Sequence, residues 1–400
     1  MKQRFIALVD ADNFFASCEQ LFNPSLEGKP VCVLSNNDGC VIARSKEAKK
    51  LGIKMGMPYF MAKKEFPSAV YISSHFTLYH DISNRLRDIF RRYSENIDIY
   101  SVDEAFFDVT GLDRVYNCDF ETLAKRIRDE VKREVGVWVS VGISNSKTLS
   151  KAAVHKAKSG TGFYVINKEN IEKELKNFPI EEIWGIGRAT TKFFRTFGIF
   201  YASEILKLDE GFLRKNLGIK GLELKQELSG ENFIGIQKED TKPKSIQRTC
   251  AFPEFSQDRE YIKKWLFYHL HNACRCARRD NLKAGSVGVM LRTKDFQVDC
   301  RVISLKQKSS SELELVKYVT KLFDSMFNKY VIYRASGIFL NELEEVKAEQ
   351  LSLLGEKRGK KTEEVSVVLD KIEKKFGKGS IMMGLIGEKR KRSENKLKNG

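Results

Sequence analysis

The sequence has no apolar run of about 18 residues or more, so no transmembrane helix is expected. The N-terminal Met1-Lys-Gln-Arg-Phe5 runs straight into an apolar strand pattern, which argues against a signal peptide. Eight cysteines are present without a CxxC pair, and Cys274-Arg-Cys276 has the wrong spacing for a zinc knuckle. Reduced, mostly buried thiols in a cytosolic protein are therefore expected. His75, His80, His155, His269 and His271 show no metal-ligand spacing, and there is no internal repeat.

What is present is a basic, globular chain of 400 residues, 42% hydrophobic and 31% charged, with formal net charge +17. That length suits two to four domains with ample core. Residues 347–400 hold 15 basic and 8 acidic side chains, a net +7, which leaves +10 in the body. A body this basic favours nucleic acid, whose phosphates dominate non-specific affinity.

Against that charge stand three acids. Asp10 ends the apolar run Phe5-Ile-Ala-Leu-Val9, and Asp103 and Glu104 lie in the β-prone stretch 97–109. Clustered carboxylates repel one another and persist mainly around a cation, and oxygen-only ligation suits Mg²⁺. A hard-metal site on a basic protein points to chemistry on a polyanion.

Residues 1–166 alternate between strand patterns (4–9, 31–35, 97–102, 105–109, 138–143) and helical ones (14–21, 45–51, 78–94, 120–134). The order β, α, β, β, α, β is the ferredoxin-like arrangement, which sets the first and third strands side by side. That placement would bring Asp10 to Asp103 and Glu104. Residues 168–232 read as all-helical, 238–244 as a linker, and 245–341 as α+β with a hairpin around Thr293-Lys-Asp-Phe296. Beyond Lys347 the chain is charged and sparsely apolar, and a flexible tail is expected.

The segments Leu8-Val-Asp-Ala-Asp-Asn-Phe-Phe-Ala-Ser-Cys-Glu19, Ser35-Asn-Asn-Asp-Gly-Cys-Val-Ile-Ala-Arg-Ser-Lys-Glu-Ala-Lys49 and Ser101-Val-Asp-Glu-Ala105 resemble the Y-family translesion DNA polymerases, in their UmuC-like branch (the catalytic subunit of DNA polymerase V). The resemblance runs from about residue 4 to 345, with shorter matches in the tail. It implies an α+β multidomain right hand: a ferredoxin-like palm (1–30 and 76–166), small fingers (31–75), a helix-hairpin-helix thumb (167–235), a little finger (243–345) and a tail (346–400). It also implies a bacterial, cytoplasmic, nucleoid-associated enzyme without a membrane partner.

The resemblance further implies that Asp10, Asp103, Glu104 and the Ala11 carbonyl hold two Mg²⁺ ions. Phe15 matches the steric gate that excludes ribonucleotides, a position often held by Tyr. Lys49 and Lys158 match triphosphate contacts for the incoming deoxynucleoside triphosphate, and Arg44 is a candidate additional contact. In Ile183-Trp-Gly-Ile-Gly-Arg188, Gly185, Ile186 and Gly187 would bring the backbone close to a phosphate of primer–template DNA. Arg275, Arg278 and Arg279, with Lys283, Arg292 and Arg301, are candidates to line the template groove. Gln350, Leu351, Leu353 and Leu354 resemble the motif that binds the beta sliding clamp. Residues 368–382 resemble a small UmuC module and also the helix through which RecA protomers pack. A RecA filament and a UmuD′ dimer are thus expected partners. Two rivals remain at this point: a two-metal nuclease or nucleotide cyclase on the same palm, and a catalytically silent scaffold that recruits clamp and RecA to stalled forks.

Overall fold

The computed structural model describes residues 4–237, 242–346, 357–377 and 380–381, with backbone alone at 357–361 and 363–364. Two compact units are present, Met1–Thr241 and Lys242–Gly400.

In the first unit, β1 (Ile6–Ala11) is buried at every position. Asn13, at φ 54, turns the chain into α1 (Phe14–Phe22), a left-handed conformation that asparagine tolerates. A small sheet of order β3–β2–β4 follows, built from β2 (Val31–Leu34), β3 (Val41–Arg44) and β4 (Val70–Ser73). Two short helices lie between β3 and β4, α2 (Lys46–Lys50) and α3 (Tyr59–Glu65). Next come α4 (Phe76–Tyr93), β5 (Ile97–Ile99), β6 (Glu104–Asp108), α5 (Leu112–Val115), α6 (Phe120–Val135), β7 (Val139–Ser144), α7 (Lys147–Ser159) and β8 (Phe163–Ile166).

The main sheet has the order β5–β6–β1–β7–β8. Its first four strands are antiparallel and take the expected ferredoxin-like order, with β8 added parallel to β7. Apolar residues of α4 (Ile82, Leu86, Ile89) and α6 (Leu123, Ile127, Val131) recur every three or four positions and pack on the sheet. Asp119 caps α6 by accepting the Thr122 amide at 2.8 Å. α7 lies close on β7 because residue 142 is glycine: a Cβ there would stand 2.4 Å from the Ser150 carbonyl oxygen and 2.5 Å from the Val154 nitrogen. β3, β4, β8 and α7 are not among the elements expected from the sequence; the three strands have four residues each, too few to show a period.

Residues 168–232 are helical, as expected: α8 (Ile171–Leu175), α9 (Arg188–Thr196), α10 (Ala202–Leu206), α11 (Glu210–Leu217) and α12 (Ile219–Leu228). They surround Ile183, Ile186, Phe194, Ile205 and Leu213. Glu227, fully buried on α12, accepts the Thr148 amide at 3.0 Å and so ties this bundle to the start of α7.

The second unit contains β9 (Ser245–Ser256), α13 (Arg259–Arg279), β10 (Leu282–Thr293), β11 (Val298–Ser309), α14 (Glu312–Met326), β12 (Tyr333–Asn341) and β13 (Glu344–Glu345). The sheet order is β11–β10–β12–β9, with β13 on β10, and the β10–β11 hairpin turns at the expected place. α13 and α14 share one apolar core with β10 and β12. Within the expected flexible tail, Lys357–Phe376 is a helix, α15, packed on α14. Asp370 and Glu373, which a reading of composition leaves in solvent, meet arginines of α13 and hold it there.

Candidate active site

The register of β1 on β6 sets Asp10 directly opposite Glu104. The Ala11 amide donates to the Asp103 carbonyl at 2.9 Å, which fixes the turn before β6. In that turn the Ser101 hydroxyl accepts the Asp103 and Glu104 amides at 3.2 and 3.0 Å and donates to Asp103 Oδ1 at 2.5 Å. All three acids therefore sit at one end of the central strand pair. Asp12, two residues beyond Asp10, accepts from the Ser140 hydroxyl at 2.8 Å.

Two lysines of α7 face the acids. Lys158 Nζ lies 2.6 Å from Asp10 Oδ1, and Lys151 Nζ lies 3.0 and 3.1 Å from the two oxygens of Glu104. Burial, reinforced by the hydrogen-bonded Glu104 carboxyl, pushes the Asp10 carboxyl up to about 7 against the pull of Lys158. On Glu104 burial also acts upward, but hydrogen bonds from Asp10 and Lys151 outweigh it and hold that carboxyl below its ordinary value. Two carboxylates so close cannot both carry full charge unless cations offset it.

Among the described residues no three acids close around one point, since Asp10, Glu104 and Asp103 are drawn to Lys158, Lys151 and Ser101 respectively. The donor set nonetheless fits a hard divalent cation: oxygen atoms alone, with ammonium groups standing where positive charge is required.

Lys49 and Arg44 extend this positive edge. Burial, then the neighbouring charges of Arg44 and Lys158, hold the Lys49 ammonium below the usual lysine range, while Asp12 and Asp10 oppose that. Arg44 anchors itself by donating to the Ile53 carbonyl at 2.6 Å. Lys151 was not among the residues singled out from the sequence. Its signal was available, because Lys147, Lys151 and Lys158 share one face of α7 at spacings of four and seven. Lys151 also lies 4.5 Å over the Tyr100 ring, whose hydroxyl accepts from Trp184 Nε1 at 3.0 Å.

Phe15 projects from α1 half-buried and stacks on Tyr79 of α4 with ring centroids 4.3 Å apart. In the glycine turn, Gly185 takes φ +88, and Gly187 precedes α9 with no side chain capping the helix start. An open hollow of about 720 Å³ beside the turn is lined by Glu181, Gly187, Arg188, Thr191, Lys192 and Arg195. Ile186 is 8% exposed, and its amide donates to the Ile183 carbonyl. It therefore supports the turn from inside.

Two arginine expectations need correction. Arg278 is 8% exposed, paired with Glu312 at 2.6 Å and with both oxygens of Asp370 at 2.6 and 2.8 Å. Arg275 pairs with Glu373 at 2.5 Å. The Arg278 guanidinium is taken up between α13, α14 and α15 and is not offered to a template groove, while Arg275, 24% exposed, is tied to α15 through one of its nitrogens. Arg301, with its side chain 46% exposed, donates to the Ser325 carbonyl on α14 at 3.0 Å. Arg279 is exposed and, among the described residues, paired with the adjacent Asp280. Residues 368–376 pack on the chain's own α13, and Gln350, Leu351, Leu353 and Leu354 lie outside the described residues.

Comparison with known proteins agrees with this geometry. Residues 9–155 match the impB/mucB/samB family, and residues 243–353 match the C-terminal domain of that family. Protein SamB of Salmonella typhimurium is 32% identical over 94% of this chain and 91% of its own length. Protein UmuC of Salmonella typhimurium strain LT2 is 31% identical over 94% and 92%. DNA polymerase IV 1 of Bacillus subtilis is 28% identical over 99% and 96%. Among solved structures, a Y-family DNA polymerase chimera superposes with TM-score 0.74 at 27% identity, covering 85% of this chain and 99% of that one. Three acids on adjoining strands, a lysine-bearing helix above them and matches along both units lead to one assignment: the chain belongs to the impB/mucB/samB family and is a UmuC-type Y-family DNA polymerase.

Proposed function

We propose that this polymerase extends primers across damaged template bases by error-prone nucleotidyl transfer, as part of an SOS response. The observation that carries the reading is the in-register apposition of Asp10 and Glu104, with Asp103 bound to the Ala11 amide beside them. Asp10, Asp103, Glu104 and the Ala11 carbonyl would hold two Mg²⁺ ions. The chemistry supplied by such ions is activation of the primer 3′-hydroxyl and neutralisation of the leaving pyrophosphate.

The chain's own residues do the rest. Lys158, Lys49 and Arg44 present positive charge to the triphosphate, and Lys151 holds Glu104 in place. Phe15 closes the floor beneath the sugar and excludes a 2′-hydroxyl by bulk, without the hydroxyl that a tyrosine would contribute there. The start of α9 grips a phosphate through backbone amides, independent of sequence.

A beta sliding clamp bound through Gln350, Leu351, Leu353 and Leu354, a UmuD′ dimer and a RecA filament are the partners we assign on the likeness to UmuC. Docking of residues 368–382 on RecA would require Asp370 and Glu373 to leave Arg278 and Arg275. Primer extension across an abasic template, with each deoxynucleotide and with RecA and UmuD′ supplied, tests the function. Template-dependent products lost in Asp103→Ala are expected; no incorporation by the unmodified chain would favour the scaffold, and strand cleavage the nuclease.

A further inference from the structure

Behind Phe15 lies a buried carboxylate that the reaction does not use. Glu19 follows Phe15 by one turn of α1, so both side chains leave the same face of the helix toward α4. Glu19 is 7% exposed, yet it is not an ion buried without partners. Its Oε1 accepts the Tyr79 hydroxyl at 2.5 Å and lies 2.8 Å from His75 Nδ1. Burial and the Glu19 charge both push the Tyr79 phenol up, which keeps it a hydrogen-bond donor.

Tyr79 is itself 1% exposed and lies almost flat on Phe15, with rings 15° apart and centroids at 4.3 Å. Phe76 meets both rings edge-on at 5.9 Å. The phenol is thus pinned at its hydroxyl by α1 and pressed by its face against a side chain of that same helix. Stacking alone lets one ring slide over another, whereas a directional hydrogen bond to a fixed carboxylate does not.

We propose that Glu19 is a positioning residue for sugar selection: by holding the Tyr79 hydroxyl it makes that ring a fixed backing for Phe15, which then cannot retreat from a 2′-hydroxyl. The inference rests on Phe15 being the sugar gate. A side chain excludes by bulk only as far as it cannot move, so discrimination depends on what stands behind it.

The test measures kcat/KM for one deoxynucleotide and the matching ribonucleotide in the full chain, with melting temperature recorded for each variant. Phe15→Leu serves as the control for the gate and should admit ribonucleotides. Tyr79→Phe keeps the ring and deletes only the tether; Glu19→Ala deletes the acceptor. Each should lower discrimination about tenfold, or about 1.4 kcal/mol, by lowering KM for the ribonucleotide. Glu19→Gln keeps an acceptor oxygen and should restore it. Unchanged discrimination in Tyr79→Phe, alongside its collapse in Phe15→Leu, overturns the role of Glu19 and leaves the gate standing. Unchanged discrimination in Phe15→Leu removes the gate and this inference together. Should Glu19→Ala fail to fold, Tyr79→Phe decides the matter, since it retains the packed ring.

Discussion

Replacing Arg278 by alanine separates a structural cation from a DNA contact. Arg278 joins three parts of the second unit: it donates to Glu312 on α14, to the carbonyl of Ser310 at 2.7 Å and to both oxygens of Asp370 on α15. Glu312 is fully buried and would keep His271, at 3.2 Å, and a backbone hydrogen bond. Removing one member of a buried ion pair costs about 3–5 kcal/mol, because the other charge stays behind without compensation. Retention of His271 argues for the lower end. In a unit of this size a loss of about 3 kcal/mol lowers the melting temperature by roughly 10 °C. Arg279→Ala is the control: that side chain is exposed and pairs with Asp280, and exposed pairs contribute about 0–1 kcal/mol. Primer–template affinity, titrated against salt, supplies the second measurement. A lost phosphate contact would flatten the slope of log K on log salt by about 0.9, whereas Arg278→Ala should leave the slope as it is. An unshifted melting temperature together with a flatter slope would refute the argument and return Arg278 to the template groove.

Gly142→Ala should move α7, because the new Cβ meets backbone atoms at 2.4 and 2.5 Å that cannot rotate away. We expect about 1–3 kcal/mol of destabilisation and a raised KM for deoxynucleotides, since Lys151 and Lys158 ride on that helix; steady-state kinetics with an unchanged KM would count against this. Acid sensitivity is expected from His269, whose imidazole burial, with help from Arg248, pulls down to about 4. The unfolded chain takes up that proton near pH 6.5 and the folded chain only near 4, so stability is lost as pH falls between those values, by about 3 kcal/mol in all. His271 slopes the other way: burial lowers it, but Glu312 and Glu373 outweigh that and raise it, so its contribution fades as pH rises through the raised value. Unfolding measured from pH 7 to 4 in His269→Leu should show a shallower acid limb than the unmodified chain, and an identical limb would exclude His269 as the cause.

The acids were legible because their setting is local. Asp10 closes an apolar strand, and Asp103 and Glu104 lie in a β-prone stretch that one strand order brings alongside it. Phe15 and Lys158 follow from motif position, and Lys151 could have been read from helical phase. The arginines of α13 were not legible. Arg275, Arg278 and Arg279 are alike in charge and lie within five residues, so sequence offers no means of telling which meets a carboxylate. Their partners Glu373 and Asp370 come from 98 and 92 residues away.

Composition and local pattern by themselves thus determined the class of chemistry: oxygen ligands for a hard cation, a basic body for a polyanion, and a bulky ring beside the acids. Only the tertiary structure decided which charges remain available. A charge is spent or free according to what chain folding brings within hydrogen-bond distance. That choice put Lys158 on Asp10, Arg278 on Asp370 and Tyr79 between Glu19 and Phe15, in contacts whose partners all lie 60 or more residues apart.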